Sequence, residues 1–79
     1  MDIHNLVSMA NQIGQFFSAY PDQNEALDGI ANHIRKFWEP RMRLQLFEGI
    51  DAGKAAELSA LVAQSLALHR NSLQPATSR

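Results

Sequence analysis

The sequence predicts an all-α protein, a compact bundle of about four short helices with a flexible C-terminal tail. Apolar residues recur at steps of three and four along much of the chain, which is the spacing of one helical face. Pro21, Pro40 and Gly53 separate these periodic stretches, as residues that end or begin helices do. Because 79 residues can build only one core, we expect a single helical domain over 1–70 and a disordered tail over 71–79.

The first helix is predicted over residues 2–20, because an apolar stripe runs along it and Pro21 follows. Met9 and Phe16 lie beside that stripe and widen the apolar surface beyond what one packing contact needs. Gly14 stands on the packed side, where the absence of a side chain allows another helix to approach closely.

The opposite face of the first helix is polar but carries no acidic or basic residue. Asn11 and Gln12 belong to this face. Uncharged amides fit a surface that another protein covers, because they lose less free energy on desolvation than charged groups do. The alternative is an ordinary amide-rich face exposed to water.

The second helix is predicted over residues 23–38, with Asp22 before its first turn, and the third over residues 40–50. Pro is favoured at the first position of a helix and cannot continue the preceding one. Pro40 therefore both ends the second helix and begins the third, and we expect a tight, rigid corner between them. A turn at residues 51–53 leads into a fourth helix predicted over 54–70.

Residues 33–43, HIRKFWEPRMR, hold four of the seven Lys and Arg residues of the chain. Glu39 is the one acid among them, so the segment carries +3 and the rest of the chain −4, since the whole chain carries −1. We interpret the segment as a basic corner on a mildly acidic body, with a solvated charged face as the alternative. Arg43 falls within an apolar arc, so it snorkels, stacks on Phe47 or reaches an acceptor on a partner, whereas Arg41 projects on the polar side.

Several classes of function find no support in the sequence. The absence of Cys excludes disulfides and a Cys nucleophile, the three His residues form no metal-binding pattern, and the four Gly residues form no phosphate loop. A net charge of −1 and a pI of about 6.2 argue against a nucleic-acid binder. We find no membrane span and no signal peptide, so we expect a cytoplasmic protein that is not an enzyme by itself.

Two stretches, MANQIGQFF (9–17) and IANHIRKFWEPRMR (30–43), resemble the signature segments of the formate dehydrogenase delta subunit family. The similarity extends over most of residues 5–66, and it departs from the family at Ala60, where Pro is expected, and at Glu39, where Asp is more familiar. This family is the smallest subunit encoded with soluble, NAD-dependent formate dehydrogenases that contain molybdenum or tungsten.

The resemblance implies an accessory subunit without catalysis and without a cofactor of its own. Its partner subunits would carry bis-molybdopterin guanine dinucleotide, iron–sulfur clusters and FMN, and it would dock on the large catalytic subunit to aid assembly, stability or cofactor insertion. Trp38 and Pro40 would then form a stiff apolar wedge, with Arg41 and Arg43 bonding to the partner. The predicted partner-binding residues are Asn11, Gln12, Phe16, His33, Trp38, Pro40, Arg41 and Arg43.

Another function stays open at this point. A free-standing helical homodimer acting as an adaptor or regulator would also explain a small domain with a wide apolar helix, and a homo-oligomer is possible for the isolated chain.

Overall fold

Helices make up most of residues 2–75, which are the residues that the computed structural model describes. Within that range the helices are α1 (Ile3–Phe17), α2 (Gln23–Phe37), α3 (Pro40–Asp51), α4 (Ala60–Leu68) and α5 (Arg70–Leu73), with no strand. The Cα radius of gyration is 11.7 Å, which is the value expected for a compact chain of this length. The all-α prediction is confirmed.

The starts of α1, α2 and α3 follow from local sequence chemistry. Asp22 caps α2, because its Oδ1 accepts the N–H of Asn24 at 2.9 Å, and Asp2 caps α1 in the same way through the N–H of His4 at 3.3 Å. Pro40 occupies the first turn of α3, where its missing N–H costs no hydrogen bond.

The corner between α2 and α3 is as tight as predicted. Trp38 ends α2 with its N–H bonded to the carbonyl of Ile34 at 2.9 Å, and its own backbone is extended. Glu39 is also extended, as expected before proline, and Pro40 begins α3 at once. Two helices therefore meet across only Trp38 and Glu39.

The fourth helix begins later than predicted. Gly53 has a φ of 75°, and the N–H of Lys54 bonds to the carbonyl of Gly49 at 2.8 Å, so α3 ends in a Schellman motif. Residues 54–59 then form an irregular connector, and α4 begins only after Ser59, whose Oγ accepts the N–H of Val62 at 3.3 Å. The prediction of helix at 54–59 was wrong because it gave weight to apolar periodicity and none to Ser59 as an N-cap.

The C-terminal segment is also more ordered than expected from residue 71. Residues 70–73 form the short helix α5, and Leu73 is fully buried. The boundary predicted at residue 70 therefore cuts through packed structure. Residues 76–79 of the predicted tail lie outside the described residues.

The core lies where α1 and α2 pack side by side and α3, α4 and α5 close over them. Helix α1 contacts α2, α3 and α4, and α5 packs on α2 and α4. Gly14 is buried against α4, and a Cβ placed there would collide with Cγ2 of Val62. The side chains buried at the centre are Leu6, Val7, Ala10, Ile30, Ala31, Ile34, Trp38, Leu46, Phe47, Val62, Leu66 and Leu73.

Candidate functional site

An open groove of about 540 Å³ lies between α1 and α2, and we call it the α1–α2 groove. It is lined by Met9, Gln12, Ile13, Phe16, Phe17, His33 and Trp38. Four of the eight predicted partner-binding residues lie in this lining: Gln12, Phe16, His33 and Trp38. The structure therefore brings half of the predicted set together on one surface.

Helix α1 forms one wall of the groove with a second apolar flank that the core covers only in part. Met9, Ile13 and Phe16 recur at steps of four and three, which places them on one side of the helix. Met9 and Ile13 are half-buried, whereas Phe16 is 67% exposed. The widened apolar stripe read from the sequence thus corresponds to this wall.

A row of aromatic rings runs from the end of α1 to the end of α2. The rings of Phe16 and Phe17 meet edge to face with centroids 5.0 Å apart, and the ring of Phe17 lies 6.5 Å from that of His33. The ring of His33 in turn lies 4.8 Å from that of Phe37, which is 70% exposed. Two large aromatic side chains are therefore held in place while most of their surface faces outward.

Sequence reasoning did not single out Phe37 as a surface residue. Periodicity alone does not separate a buried position on the apolar side of a helix from an exposed one at its end. The ring contact with His33 is a tertiary feature with no signal in the sequence.

Trp38 does not form the projecting wedge expected at the corner. Its side chain is 6% exposed and belongs to the core, and it contributes to the wall of the groove. Pro40, by contrast, is exposed at the start of α3. The two residues predicted to act together therefore have different environments.

The basic corner keeps its positive charge without an acidic partner among residues 2–75. Lys36 and Arg41 are exposed, and neither takes part in the two close acid–base contacts of that range, which join His69 to Asp28 and Arg70 to Asp51. The guanidinium of Arg35 is held by neutral groups: it donates to Oδ1 of Asn32 and, at 2.7 Å, to Oγ of Ser72. The cluster of positive charge predicted from the sequence is therefore not neutralised by the fold.

Arg43 has an internal role. Its Nη1 donates to the carbonyl of Leu73 at 2.9 Å, which joins α3 to α5, while its Nε is buried without a partner. The ring of Phe47, considered as a stacking partner for Arg43, instead lies 4.9 Å from the guanidinium carbon of Arg70.

Asn11 also has an internal role. Its Nδ2 donates to the carbonyl of Glu57 at 2.9 Å, and its Oδ1 accepts the N–H of Ser59 at 2.8 Å. These two bonds satisfy backbone groups of the irregular connector before α4. Asn11 therefore holds the connector against α1 instead of standing free on an outer face.

One carboxylate outside the groove has a shifted pKa. Arg70 donates from Nη2 to Oδ2 of Asp51 at 2.7 Å, and this hydrogen bond, with the positive charge of the same arginine, lowers the pKa of Asp51 below its ordinary value of 3.8.

Across residues 2–75 no three His, Asp or Glu side chains lie close enough together to hold a metal ion. None of the helices described there is long and apolar enough to cross a membrane.

The fold and this surface define a class: a small all-α protein that has an exposed aromatic groove and, nearby in the chain, basic side chains without an acidic partner among residues 2–75. Residues 5–66 match the family model described as NADH-dependent formate dehydrogenase delta subunit FdsD. The match covers all of α2 and α3 and most of α1 and α4, and it includes the groove and the basic corner. The chain belongs to this family, which makes it a formate dehydrogenase subunit and implies a catalytic partner subunit. No curated protein and no solved structure matches the chain.

Proposed function

We propose that the chain is a non-catalytic accessory subunit of a soluble, cytoplasmic, NAD-dependent formate dehydrogenase containing molybdenum or tungsten. It docks on the large catalytic subunit and aids assembly, stability or cofactor insertion. The bis-molybdopterin guanine dinucleotide, iron–sulfur clusters and FMN belong to its partner subunits. Formate oxidation and NAD reduction take place there.

The observation that carries this proposal is the exposure of two aromatic side chains, Phe16 at 67% in the lining of the α1–α2 groove and Phe37 at 70% beside the ring of His33, which lines the same groove. Large exposed aromatic side chains on a rigid scaffold are typical of protein–protein interfaces, where aromatic residues and arginine are enriched. Family membership identifies the kind of enzyme to which such a surface would bind.

Capture of the tagged chain from the cytosol of its own cells tests docking. We expect the large molybdenum or tungsten subunit to be identified by mass spectrometry in the captured material, together with formate-dependent NAD reduction. The isolated chain should show no such activity. Recovery of the chain without the catalytic subunit and without activity would refute the proposal.

Omission of the chain tests the accessory role separately from docking. The other subunits are produced with and without it, and the metal content, the subunit composition and the formate-dependent NAD reduction of the purified enzyme are compared. We expect enzyme made without the chain to contain less metal or to lose subunits, with a matching loss of activity. Identical preparations would contradict a role in assembly, stability or cofactor insertion.

A further inference from the structure

The α1–α2 groove is lined by apolar and aromatic side chains together with Gln12 and His33. His33 and Trp38 line it on the α2 side. Lys36 stands between these two residues in the chain, and Arg41 follows Trp38 by three residues across the corner; both are exposed, and neither lines the groove itself. Two exposed cations therefore lie close in the chain to the residues that form the α2 side of the groove.

Helix α1 contains no Asp, Glu, Lys or Arg from Ile3 to Phe17, so its wall contributes no formal charge. The acidic residues of the first half of α2, Glu25 and Asp28, do not line the groove, and Oδ1 of Asp28 lies 2.9 Å from Nε2 of His69.

We propose that the α1–α2 groove binds an amphipathic segment of the catalytic subunit whose apolar side chains fill the groove and whose acidic side chains pair with Lys36 and Arg41. Charge complementarity selects this occupant, since Lys36 and Arg41 have no acidic partner among residues 2–75 and an acidic segment supplies one. This inference rests on the proposed function, because it names the part of the partner that the docking surface recognises.

The length of the groove limits the length of the segment that it can bind. The wall on α1 runs from Met9 to Phe16, seven residues apart, which is about 10 Å along a helix. A segment of about two to three helical turns would cover this wall and still reach the basic corner. Its apolar face would contact Phe16 and Ile13, and its acidic end would lie over the end of α2.

Two variants test the apolar and the charged part of the proposed docking surface separately, and each has a control variant elsewhere on the protein. Phe16→Ala removes an exposed wall residue, and Leu68→Ala on α4 is its matched control, because Leu68 is 64% exposed and does not line the groove. The double variant Lys36→Glu, Arg41→Glu reverses the basic end, and Lys54→Glu is the control for charge reversal at an exposed lysine outside the groove. Circular dichroism and thermal unfolding of each variant report whether its fold is kept.

The affinity of each purified variant is measured by its ability to displace the labelled, unchanged chain from the complete formate dehydrogenase complex. We expect Phe16→Ala and the double charge variant each to weaken binding by about 30-fold, as loss of an interface hot spot does. Leu68→Ala and Lys54→Glu should bind as the unchanged chain does. Raising the ionic strength should weaken the unchanged chain more than the double charge variant, because only the former makes the proposed ion pairs.

A photo-crosslinking amino acid at position 16 identifies the occupant directly. We expect the crosslinked peptide to come from the catalytic subunit and to combine apolar residues at helical spacing with acidic residues. A crosslink to a second copy of this chain, to another subunit, or to a peptide without acidic residues would overturn the inference.

The outcomes separate this inference from the proposed function. If the unchanged chain binds the enzyme and all four variants bind equally well, the groove is not the docking site, although the chain remains a docking subunit. If the unchanged chain does not bind the enzyme, the proposed function fails and the inference fails with it.

Discussion

Arg70 shows how one side chain joins separate parts of this small fold. Its Nε donates to Oε1 of Gln74 at 2.6 Å, its Nη2 donates to Asp51 at 2.7 Å, and its guanidinium lies over the ring of Phe47. The end of α3 is thereby tied to the beginning of α5. The bond to Asp51 is exposed, so its contribution to stability depends on salt and pH.

The pKa of Asp51 gives a prediction about acid stability. Because the hydrogen bond from Arg70 lowers that pKa in the folded state, the interaction stabilises the fold above the unfolded-state pKa and is lost as pH falls through the folded-state value. We expect Asp51→Asn to lower the urea midpoint at neutral pH, and the difference from the unchanged chain to begin to shrink as pH falls below about 4 and to vanish only below the folded-state pKa of Asp51. Urea titrations at a series of pH values measure this difference.

Glu48→Gln serves as the control for the same pH series. Glu48 is an exposed acid on α3 outside the two acid–base contacts of residues 2–75, so its variant should show no corresponding pH-dependent difference. A difference between Asp51→Asn and the unchanged chain that stayed constant down to the lowest pH would contradict the assignment to the Arg70 contact.

Residue roles at the corner were only partly predictable from the sequence. The positive charge of residues 33–43 could be predicted from composition. Neither of the two acid–base contacts of residues 2–75 involves this segment, in agreement with that prediction. The burial of Trp38 and the bond from Arg43 to Leu73 depend on contacts with distant parts of the chain. Such contacts leave no periodic or compositional signal, so several roles stayed open for Arg43 until the fold was known.

At the scale of elements, α1 packs on three other helices and also forms a wall of the groove. Close packing on α4 requires Gly14, since a Cβ there meets Cγ2 of Val62, a fully buried and β-branched side chain. Gly49 differs, because a Cβ there meets Ile3, a longer side chain that is only half-buried. Substitution of each glycine by Ala therefore compares a contact with a rigid side chain and a contact with one that can move.

We predict that Gly14→Ala destabilises the protein even though Ala favours helix. Ala gains about 1 kcal/mol of helix propensity over Gly, but an extra methyl group in a tight core contact costs about 1 to 3 kcal/mol. The net loss should be about 1 kcal/mol. Gly49→Ala should lie within about 0.5 kcal/mol of the unchanged chain, because Ile3 can move. Urea unfolding followed by circular dichroism measures both, and equal effects of the two changes would contradict this account.

The bounds of a helix could be predicted from the sequence where they depend on neighbouring residues, and not where they depend on distant ones. The bounds of α2 and α3 follow from Asp22 and Pro40, which act on neighbouring residues, and the structure agrees closely with the predicted 23–38 and 40–50. The beginning of α4 depends in addition on Asn11, far away in sequence, which bonds to the connector that precedes it. Helix propensity at residues 54–59 was overridden by these tertiary bonds.

At the scale of the whole molecule, a domain of this size has little stability to spare. The free energy of unfolding of a small domain is about 5 kcal/mol or somewhat more. The free energy lost with one well-packed side chain is therefore a large fraction of it. The segment 71–75 supplies such a side chain, because Leu73 is fully buried and its carbonyl accepts from Arg43. The C-terminal segment is thus part of the core, although the family match ends at residue 66.

Truncation tests whether that segment holds the fold together. We expect a chain ending at Arg70 to lose about 3 kcal/mol or more of its free energy of unfolding, since deletion of a fully buried Leu alone costs about 2 to 5 kcal/mol. A chain ending at Pro75 keeps every contact described for Leu73 and Gln74 and is the reference against which this loss is measured. Fluorescence of the single, buried Trp38 during urea unfolding reports the change. Equal stability of the chains ending at Arg70 and Pro75 would mean that α5 adds nothing to the core, and Leu73→Ala in the full chain would then also be without effect.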